Sequence, residues 1–401
     1  MSSHAAEIAI VGAGPAGAHL ATLLADQGRD VLLLDPKGAW EKPCGGGVPA
    51  RAIREFGFLL EQERYPRKLI RRVRLVSPAG KTVALKLNEP FAIFSRQVLN
   101  GVALDRAVAA GARFVRAAVT DFSKDGDSWI VNADNAGEKL HFRARFLVGA
   151  DGAASSMRRK LIGIFPKKDL ALAFGYNVDS DPMSQADEDS GRDEEVLVKF
   201  APAFTGYIWA FPRPGVMNFG VAAKLGERSS DELRTMLSRF VSEYYGGKTP
   251  DSDRVTFFGA KIPALDASSW KKLKASGDGW ALVGDAAGFC DPITGEGIYY
   301  AFKSAQVLGD ALDRARTEYK RATDSYERAW RVEFGAELER ASQLLPRFYR
   351  GRIFGQAFTN SMVNIARYHR GTAAILMRLL VGDQSYVTLK RDLKRNAWRI
   401  L

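Results

Sequence analysis

The stretch "IVGAGPAG", at residues 10–17, constrains the fold more than any other part of this sequence. Gly12, Gly14 and Gly17 have the spacing G-x-G-x-x-G, directly after an apolar run and directly before a helical pattern. A second apolar run, "DVLLLD", ends at Asp35. The order strand, glycine turn, helix, strand, acid is typical of a dinucleotide-binding βαβ unit. The sequence therefore predicts a doubly wound α/β domain with a dinucleotide at this turn.

Each position of this motif has a chemical reason. Gly12 permits the tight turn, Gly14 lets the backbone approach a pyrophosphate, and Gly17 lets the helix pack closely on the strand. The start of the helix directs free amides at the phosphates, and the acid at the end of the second strand accepts from a ribose hydroxyl. The motif does not by itself distinguish NAD from FAD. The predicted contacts here are Gly12, Gly14, Pro15, Ala16, Gly17, Asp35 and Pro36.

Two later strand ends follow the same logic. "FLVGADG" places Asp151 and Gly152 after an apolar run, and "WALVGDAAG" places Gly284 and Asp285 after another. The stretch "DPITGEGI" then turns the chain into a helix that Gly297 opens. Such a helix can direct amides and positive dipole at the N1/C2 edge of a flavin, where reduction places negative charge. Its predicted contacts are Pro292, Gly295, Glu296, Gly297 and Ile298.

The stretch "EKPCGGGVPAR" sets Cys44 before three consecutive glycines, Gly45, Gly46 and Gly47. Glycines without Cβ atoms let the backbone approach a large flat ligand. The chain has 2 cysteines, and the second, Cys290, also lies in a motif predicted to approach the flavin. Two cysteines form no disulfide framework, which favours a reducing compartment. Either both are inert buried thiols, or Cys44 donates a proton during catalysis or forms a redox-sensitive pair with Cys290.

From about residue 166 to 275 the pattern changes to short alternating segments, which predict an antiparallel sheet. The stretch 71–87 reads as a hairpin that turns at "SPAG" and joins this sheet. Tyr207, Trp209 and Phe211 occupy every second position and so share one face. That face is either core or an aromatic wall for an apolar substrate above the flavin.

Together, "GAGPAG", "PCGGGVP", "FSRQVLN", "GADGAASSMRR", "YIWAFP" and "GDAAGFCDPITGEGIYYA" resemble the geranylgeranyl reductase family of FAD-dependent oxidoreductases, which has the p-hydroxybenzoate hydroxylase fold. The resemblance runs to about residue 310 and includes the tail "LLVGDQSYVTLKRDL". It implies FAD as the cofactor, adds Arg96 to the predicted FAD contacts, and places Gly45 to Gly47 beside the isoalloxazine. Asp35 departs from the glutamate more usual in this family.

The resemblance implies a reductase that transfers hydride from reduced flavin to carbon–carbon double bonds of an isoprenoid such as a geranylgeranyl group. A flavin monooxygenase acting on an apolar or aromatic substrate is the alternative, because one fold hosts both chemistries. A flavoprotein that binds or senses lipid is a third hypothesis. "YIWAFP" departs from the "WxWxIP" of flavin halogenases, which argues against halogenation. Both NADPH and ferredoxin stay open as electron donors, and the oligomeric state is not readable.

The net charge of +12 is concentrated at the C-terminus, where residues 345–401 carry 11 Lys/Arg against 2 Asp/Glu. This surplus is either a solvated face or a surface for anionic lipid. Nucleic acid is not expected as a partner, because no recognition motif accompanies the charge. No metal site is expected either, since the four histidines show no ligand spacing. We expect a cytoplasmic chain that could rest on the inner face of a membrane.

These features divide the chain into three predicted regions. The FAD-binding domain is discontinuous and takes residues 1–70, 91–165 and 276–310. The antiparallel-sheet substrate domain takes residues 71–90 and 166–275. Residues 311–401 form a helical C-terminal region.

Overall fold

The structure is a computed structural model that describes residues 4–179, 194–353 and 355–397. In chain order its strands are β1 (His4–Val11), β2 (Val31–Leu34), β3 (Gly47–Val48), β4 (Arg67–Val76), β5 (Thr82–Phe94), β6 (Arg113–Val115), β7 (Ala118–Asp125), β8 (Ser128–Asn135), β9 (Glu138–Gly149), β10 (Leu170–Asp179), β11 (Glu195–Lys199), β12 (Gly206–Arg213), β13 (Val216–Lys224), β14 (Val255–Pro263), β15 (Ser276–Gly277), β16 (Trp280–Leu282), β17 (Arg352–Ile353) and β18 (Gln356–Ala357).

The described α-helices are α1 (Pro15–Asp26), α2 (Ala50–Glu55), α3 (Arg96–Ala109), α4 (Ser156–Leu161), α5 (Ser230–Tyr244), α6 (Ala267–Trp270), α7 (Ile298–Ala315), α8 (Tyr319–Trp330), α9 (Ala336–Arg350), α10 (Phe358–Tyr368), α11 (Arg370–Val381) and α12 (Leu389–Ala397). A π-helical turn, Arg331–Gly335, connects α8 to α9. The helices of the last ninety residues confirm the predicted helical C-terminal region.

The first sheet confirms the predicted dinucleotide-binding fold. Its order is β15-β16-β9-β1-β2-β6, and neighbouring strands from β16 to β6 run parallel. The "VLLL" of β2 is buried at every position, as expected of a parallel strand covered on both faces. Strands β7 and β8 form an antiparallel extension on β9. Helices α1, α3 and α7 pack together against this sheet.

The second sheet has the order β14-β10-β13-β12-β11-β4-β5-β3. The predicted hairpin at "SPAG" is confirmed as β4 and β5. The predicted antiparallel sheet is confirmed except at one pairing, where β11 runs parallel to β4. The physical reason is connectivity: β11 reaches β4 after a long connection, so no tight hairpin imposes an antiparallel direction.

Helix α5 lies in the region for which the sequence pattern indicated only strands. Ser229 accepts from the Glu232 amide while the Glu232 side chain accepts from the Ser229 amide, which is a complete capping box. Its apolar side, including Leu233, Leu237 and Phe240, is buried against one face of the second sheet. The "SSDE" signal was present in the sequence and could have predicted this helix.

The second sheet therefore has two differently covered faces. One face packs on α5 through Ile208, Phe219 and Val221. At the β4–β5 end of the sheet, helices α10 and α11 contact β5 and enclose a separate apolar cluster. In the described part of the chain, every helix is too short or too polar to cross a bilayer.

Candidate functional site

One cavity of about 600 Å³ lies where the carboxyl ends of the parallel strands meet the second sheet. Crevices at the carboxyl ends of parallel strands are the usual ligand sites of such sheets. The sequence-predicted site residues that line it are Gly12, Gly14, Pro15, Ala16, Asp35, Pro36, Cys44, Gly45, Gly46, Gly47, Arg96, Asp151, Gly152, Tyr207, Trp209, Phe211, Asp285, Cys290, Gly295, Glu296, Gly297 and Ile298. Gly17, Gly284 and Pro292 lie outside its wall.

The first glycine turn has the geometry that its sequence predicts. Gly12 has φ +107°, and a Cβ there would lie 2.4 Å from the Ala150 carbonyl oxygen. A Cβ on Gly17 would lie 1.9 Å from the Gly12 carbonyl oxygen, so this glycine serves packing of α1 on the turn. Nothing lies within 4 Å of a Cβ built on Gly14, which lines the cavity. The turn is thus tightly packed at Gly12 and Gly17 and open at Gly14.

Asp35 orders the loops around it. One carboxylate oxygen accepts from the Ala13 amide at 2.9 Å, and the other accepts from the Lys37 and Gly38 amides at 2.8 Å each. A carboxylate has about four acceptor positions, so three amide bonds leave capacity for one hydroxyl. The predicted ribose contact stays compatible with this arrangement.

The other two strand ends also carry acids on the cavity wall. Asp151 accepts from the amides of Ser156 at 2.7 Å and Met157 at 3.1 Å, so it caps α4. Lys42 Nζ lies 3.2 Å from Asp285 Oδ2, and both residues line the cavity. The same ammonium would lie 3.5 Å from a Cβ on Gly152.

These residues fit a flavin dinucleotide. Gly14 leaves the N-terminus of α1 without a side-chain cap, so its first amides can bond an acceptor, whereas in the first turn of α7 the Tyr299 amide donates to Glu296 Oε1 at 2.8 Å. Arg96 is 5 % exposed, and its Nε has no hydrogen-bond partner among the described residues. Buried donors without partners are rare, and a bound anionic or carbonyl group would satisfy this one. FAD presents such groups along its whole length.

The Cys44 loop, residues 41–47, is held by charges. Arg213 is buried, and its guanidinium donates to Glu41 Oε1 at 2.8 Å and to the Cys44 and Gly45 carbonyl oxygens. Glu41 also accepts from the Arg96 and Gln97 amides at 3.1 and 3.0 Å. Burial opposes ionisation of Glu41, but these hydrogen bonds and Arg213 hold its pKa below the ordinary value.

The three glycines of this loop pack against the second sheet. A Cβ on Gly46, which has φ +80°, would lie 1.9 Å from the Phe94 carbonyl oxygen. A Cβ on Gly45 would meet the Phe211 ring at 2.9 Å, and one on Gly47 would meet the Phe91 ring at 2.4 Å. The space that their side chains would need is thus taken by β5 and β12. Contact between these glycines and a flavin stays a prediction.

The two cysteines have opposite environments. Burial alone would raise the pKa of the half-buried Cys44 thiol, but Arg96, the Gly46 amide and Arg213 lower it. The Gly46 amide donates to Cys44 Sγ at 3.3 Å. Cys290 is 1 % exposed, and burial together with Asp285 and Glu296 raises the pKa of its thiol well above the usual range. Both thiols are free in the structure.

Tyr207, Trp209 and Phe211 share one face of β12, as their alternation predicts, and all three line the cavity. The Trp209 ring lies over Gly220, where a Cβ would come within 2.0 Å of it. Trp209 Nε1 donates to Asn218 Oδ1 at 2.8 Å and the Tyr207 hydroxyl donates to the Thr294 carbonyl at 2.5 Å. With their polar atoms paired, these rings present an apolar surface.

This aromatic face continues into an apolar arm of the same cavity. Leu75, Val198 and Trp209 are cross-strand neighbours on β4, β11 and β12. The opposite wall is made by C-terminal helices. The arm is lined by Val73, Leu75, Val196, Val198, Phe200, Phe348, Tyr349, Met362, Leu376, Leu379 and Leu380. All are apolar except for the single hydroxyl of Tyr349.

Sequence reasoning missed several residues of the site. Arg213 continues the alternation of Tyr207, Trp209 and Phe211, so its position on the same face was readable from "YIWAFPR". Tyr349 has no comparable signal, because it lies on a helix that only the tertiary structure brings to the cavity.

In the DPITGEG turn, residues 291–297, the sequence did not single out Asp291. The Asp291 side chain is 5 % exposed and accepts from the Ile293 amide at 2.8 Å and from the Thr294 hydroxyl at 2.8 Å. Burial raises the pKa of this carboxyl, and burial raises that of the neighbouring Glu296 to about 8.

Comparison with known proteins supports the chemistry of this cavity. The model of the FAD binding domain family matches residues 5–342. A geranylgeranyl diphosphate reductase of Rhodobacter capsulatus is 30% identical over 307 residues, which cover 75% of this chain and 73% of that protein. Digeranylgeranylglycerophospholipid reductase 1 of Methanothermobacter thermautotrophicus is 29% identical over 348 residues, covering 83% of this chain and 84% of that protein.

Solved structures share the fold at lower identity. A geranylgeranyl bacteriochlorophyll reductase-like protein of Thermoplasma acidophilum has a TM-score of 0.80 and 21% identity, covering 98% of this chain and 100% of that one. A p-nitrophenol 4-monooxygenase of Pseudomonas putida has a TM-score of 0.72 and 17% identity, covering 93% and 97%. Because the cavity residues fit FAD and the sequence relatives are geranylgeranyl reductases, the chain belongs to the geranylgeranyl reductase family of FAD-dependent oxidoreductases.

Proposed function

We propose that this protein reduces carbon–carbon double bonds of an isoprenoid chain. The observation that carries the proposal is the apolar arm, whose eleven lining side chains belong to the same cavity as the predicted flavin contacts. Such a lining suits an apolar, elongated group and offers little to a polar aromatic substrate. The names of both sequence relatives refer to geranylgeranyl chains, which are substrates of this shape.

When bound and reduced, FAD supplies the hydride. The chain's own residues bind and orient both reactants and exclude water. The aromatic face of Tyr207, Trp209 and Phe211 lines the cavity beside the Cys44 loop. An isolated alkene is a poor hydride acceptor, so alignment in a dry cavity must supply much of the rate.

Cys44 is the proton donor in this proposal. Its thiol holds the proton at Sγ, and donation leaves a thiolate that the Arg96 and Arg213 guanidinium groups stabilise. Cys290 suits this role less well, because burial raises its pKa and acidic side chains surround it. We expect Cys44→Ala to reduce turnover strongly and Cys290→Ala to reduce it little. Wild-type turnover in both variants would remove the cysteines from the mechanism.

The decisive experiment is anaerobic. The flavoprotein is reduced with dithionite, geranylgeranyl diphosphate or a prenylated glycerophospholipid is added, and the absorbance of oxidised flavin is followed. Recovery of that absorbance without oxygen, with a product heavier by one hydrogen pair per double bond, is the expected result. Recovery only in air, with a product heavier by one oxygen atom, would assign a monooxygenase instead. Bound flavin that no substrate reoxidises would favour the lipid-binding hypothesis.

The apolar arm can be tested with a matched pair of variants. Leu376 is buried on the arm, so Leu376→Trp fills it. Ile365 is 43 % exposed on α10, so Ile365→Trp adds the same ring outside. We expect Leu376→Trp to raise KM for a geranylgeranyl substrate about tenfold or more and for a geranyl substrate much less. Equal effects on both chain lengths would show that the arm does not hold the chain.

The basic C-terminal region suits a substrate that resides in anionic lipid. Helix α10 exposes Ile365 and Tyr368, and Arg367 and Arg370 lie beside them. Each basic residue near an anionic surface contributes about 1 kcal/mol to binding. Sedimentation with vesicles should recover the protein with phosphatidylglycerol but not with phosphatidylcholine alone, and Arg367→Gln with Arg370→Gln should weaken it. Equal recovery from both vesicles would reject this contact.

A further inference from the structure

The DPITGEG turn leads directly into the N-terminus of α7 and lines the cavity. Its backbone is closed by two hydrogen bonds, from the Asp291 amide to the Glu296 carbonyl and from the Gly295 amide to the Asp291 carbonyl, each 2.8 Å. These local bonds shape the turn. They do not determine where the turn lies relative to the rest of the cavity.

Three tyrosine hydroxyls from separate elements donate to this turn. Tyr207 on β12 donates to the Thr294 carbonyl at 2.5 Å, and Tyr349 on α9 donates to the Ile293 carbonyl at 2.6 Å. Tyr386, in the segment after α11, donates to Asp291 Oδ2 at 2.7 Å. Two of the three donors thus come from the C-terminal helical region, far from the turn in sequence.

The two C-terminal tyrosines form one unit. The Tyr386 amide donates to Glu337 Oε2 at 2.7 Å, and the Ser385 hydroxyl donates to Glu337 Oε1 at 2.6 Å. Glu337 lies in the first turn of α9, the helix that carries Tyr349 near its other end. Tyr349 and Tyr386 are 6 % and 5 % exposed, so water does not compete for their hydroxyls. Helix α9 therefore sets the position of both donors.

We propose that Tyr349 and Tyr386 are positioning residues that hold the N-terminus of α7 at the edge of the flavin and thereby set how much more tightly the reduced cofactor is bound than the oxidised one. Reduction places negative charge on the flavin, and the dipole of a helix N-terminus stabilises such charge over a short range. A displaced turn would weaken this stabilisation mainly for the reduced form. The inference depends on FAD binding and not on the identity of the substrate.

The test compares Tyr349→Phe and Tyr386→Phe with Tyr326→Phe in the flavin-loaded enzyme. Tyr326 is a matched control, because it is 0 % exposed and donates to the Leu282 carbonyl at 2.8 Å, outside the turn. The readouts are the Kd for oxidised FAD and the two-electron reduction potential. Tyr349→Phe is the cleaner variant, since its partner is an uncharged carbonyl.

We expect Tyr349→Phe to lose about tenfold more affinity for reduced than for oxidised FAD, which lowers the potential by about 30 mV. Tyr326→Phe should leave the potential unchanged. Glu337→Gln, which loosens the Tyr386 segment without touching the turn, should shift the potential in the same direction by less. If Tyr349→Phe and Tyr386→Phe weaken both redox forms equally or leave both unchanged, the positioning role is wrong. Since no substrate is used, failure of the isoprenoid assay would not affect this result.

Discussion

The Cys44 loop and the DPITGEG turn border the same cavity, yet opposite kinds of interaction hold them. Charged groups hold the first, where Arg213 donates to Glu41 and to the Cys44 carbonyl oxygen. Neutral phenols hold the second, around the buried Asp291 carboxyl. Arg96, the Gly46 amide and Arg213 lower the pKa of Cys44 against the effect of burial, whereas burial and nearby acidic groups raise the pKa of Cys290, which directly precedes the turn. Of the two thiols, only Cys44 therefore suits release of a proton from sulfur.

Gly46→Ala should have the largest effect on this contrast. Its φ of +80° disfavours a side chain, and the new Cβ would lie 1.9 Å from a carbonyl oxygen. We expect the free energy of unfolding to fall by at least about 3 kcal/mol in urea denaturation. Gly80→Ala is the control, because its φ is +76° and nothing lies within 4 Å. That variant should lose only about 1 kcal/mol, and equal losses would show that backbone strain alone matters.

Arg213→Met removes the buried cation that holds the Cys44 loop. Its removal leaves Glu41 and two carbonyl oxygens without the hydrogen bonds that this guanidinium donates, which we expect to cost about 2–4 kcal/mol of unfolding free energy. Arg54→Met removes an exposed cation that pairs with Glu89 and Asp383. Its cost should stay below about 1 kcal/mol. The same small loss in both variants would contradict the view that charges hold this loop.

Glu296→Gln tests the DPITGEG turn. Because the pKa of Glu296 is raised from 4.5 to about 8, its contribution to stability is fully present below pH 4.5 and is lost as pH rises to about 8. The side chain is half-buried, and solvent should limit the loss to about 1–2 kcal/mol. The unfolding free energy of the cofactor-free protein should be measured from about pH 4 to about pH 9. We expect it to fall with rising pH in the wild type and to fall less steeply in Glu296→Gln. Parallel curves would place the slope elsewhere.

Thiol reactivity gives the smallest and most direct comparison. Iodoacetamide should modify Cys44 with an apparent pKa below the ordinary value of about 8.5. Cys290, at 1 % exposure, should stay unmodified until the protein unfolds. Arg213→Met should raise the apparent pKa of Cys44, whereas Arg213→Lys, which keeps the charge, should raise it less. Reaction of Cys290 first would reverse the comparison.

Local patterns were enough for much of the fold. The glycine motif ending at Asp35 predicted the parallel sheet, and alternation predicted the strands around Tyr207 and Trp209. These features are readable because a turn or a face depends on residues near in sequence. The parallel pairing of β11 with β4 was missed, since strand direction depends on the path of a long connection. Helix α5 was missed although its capping box was legible.

By itself, the sequence determined the dinucleotide turn, the acids at the strand ends, the aromatic face and the family of the protein. Only the tertiary structure decided that Arg213 and Glu41 flank Cys44, that Phe91 and Phe211 fill the space beside the glycines, and that Tyr349 and Tyr386 reach the DPITGEG turn. The physical reason is the separation in sequence between the residues that interact. Backbone conformation follows from neighbouring residues, whereas the charge and hydrogen bonding around a buried group depend on side chains that the fold brings from distant parts of the chain.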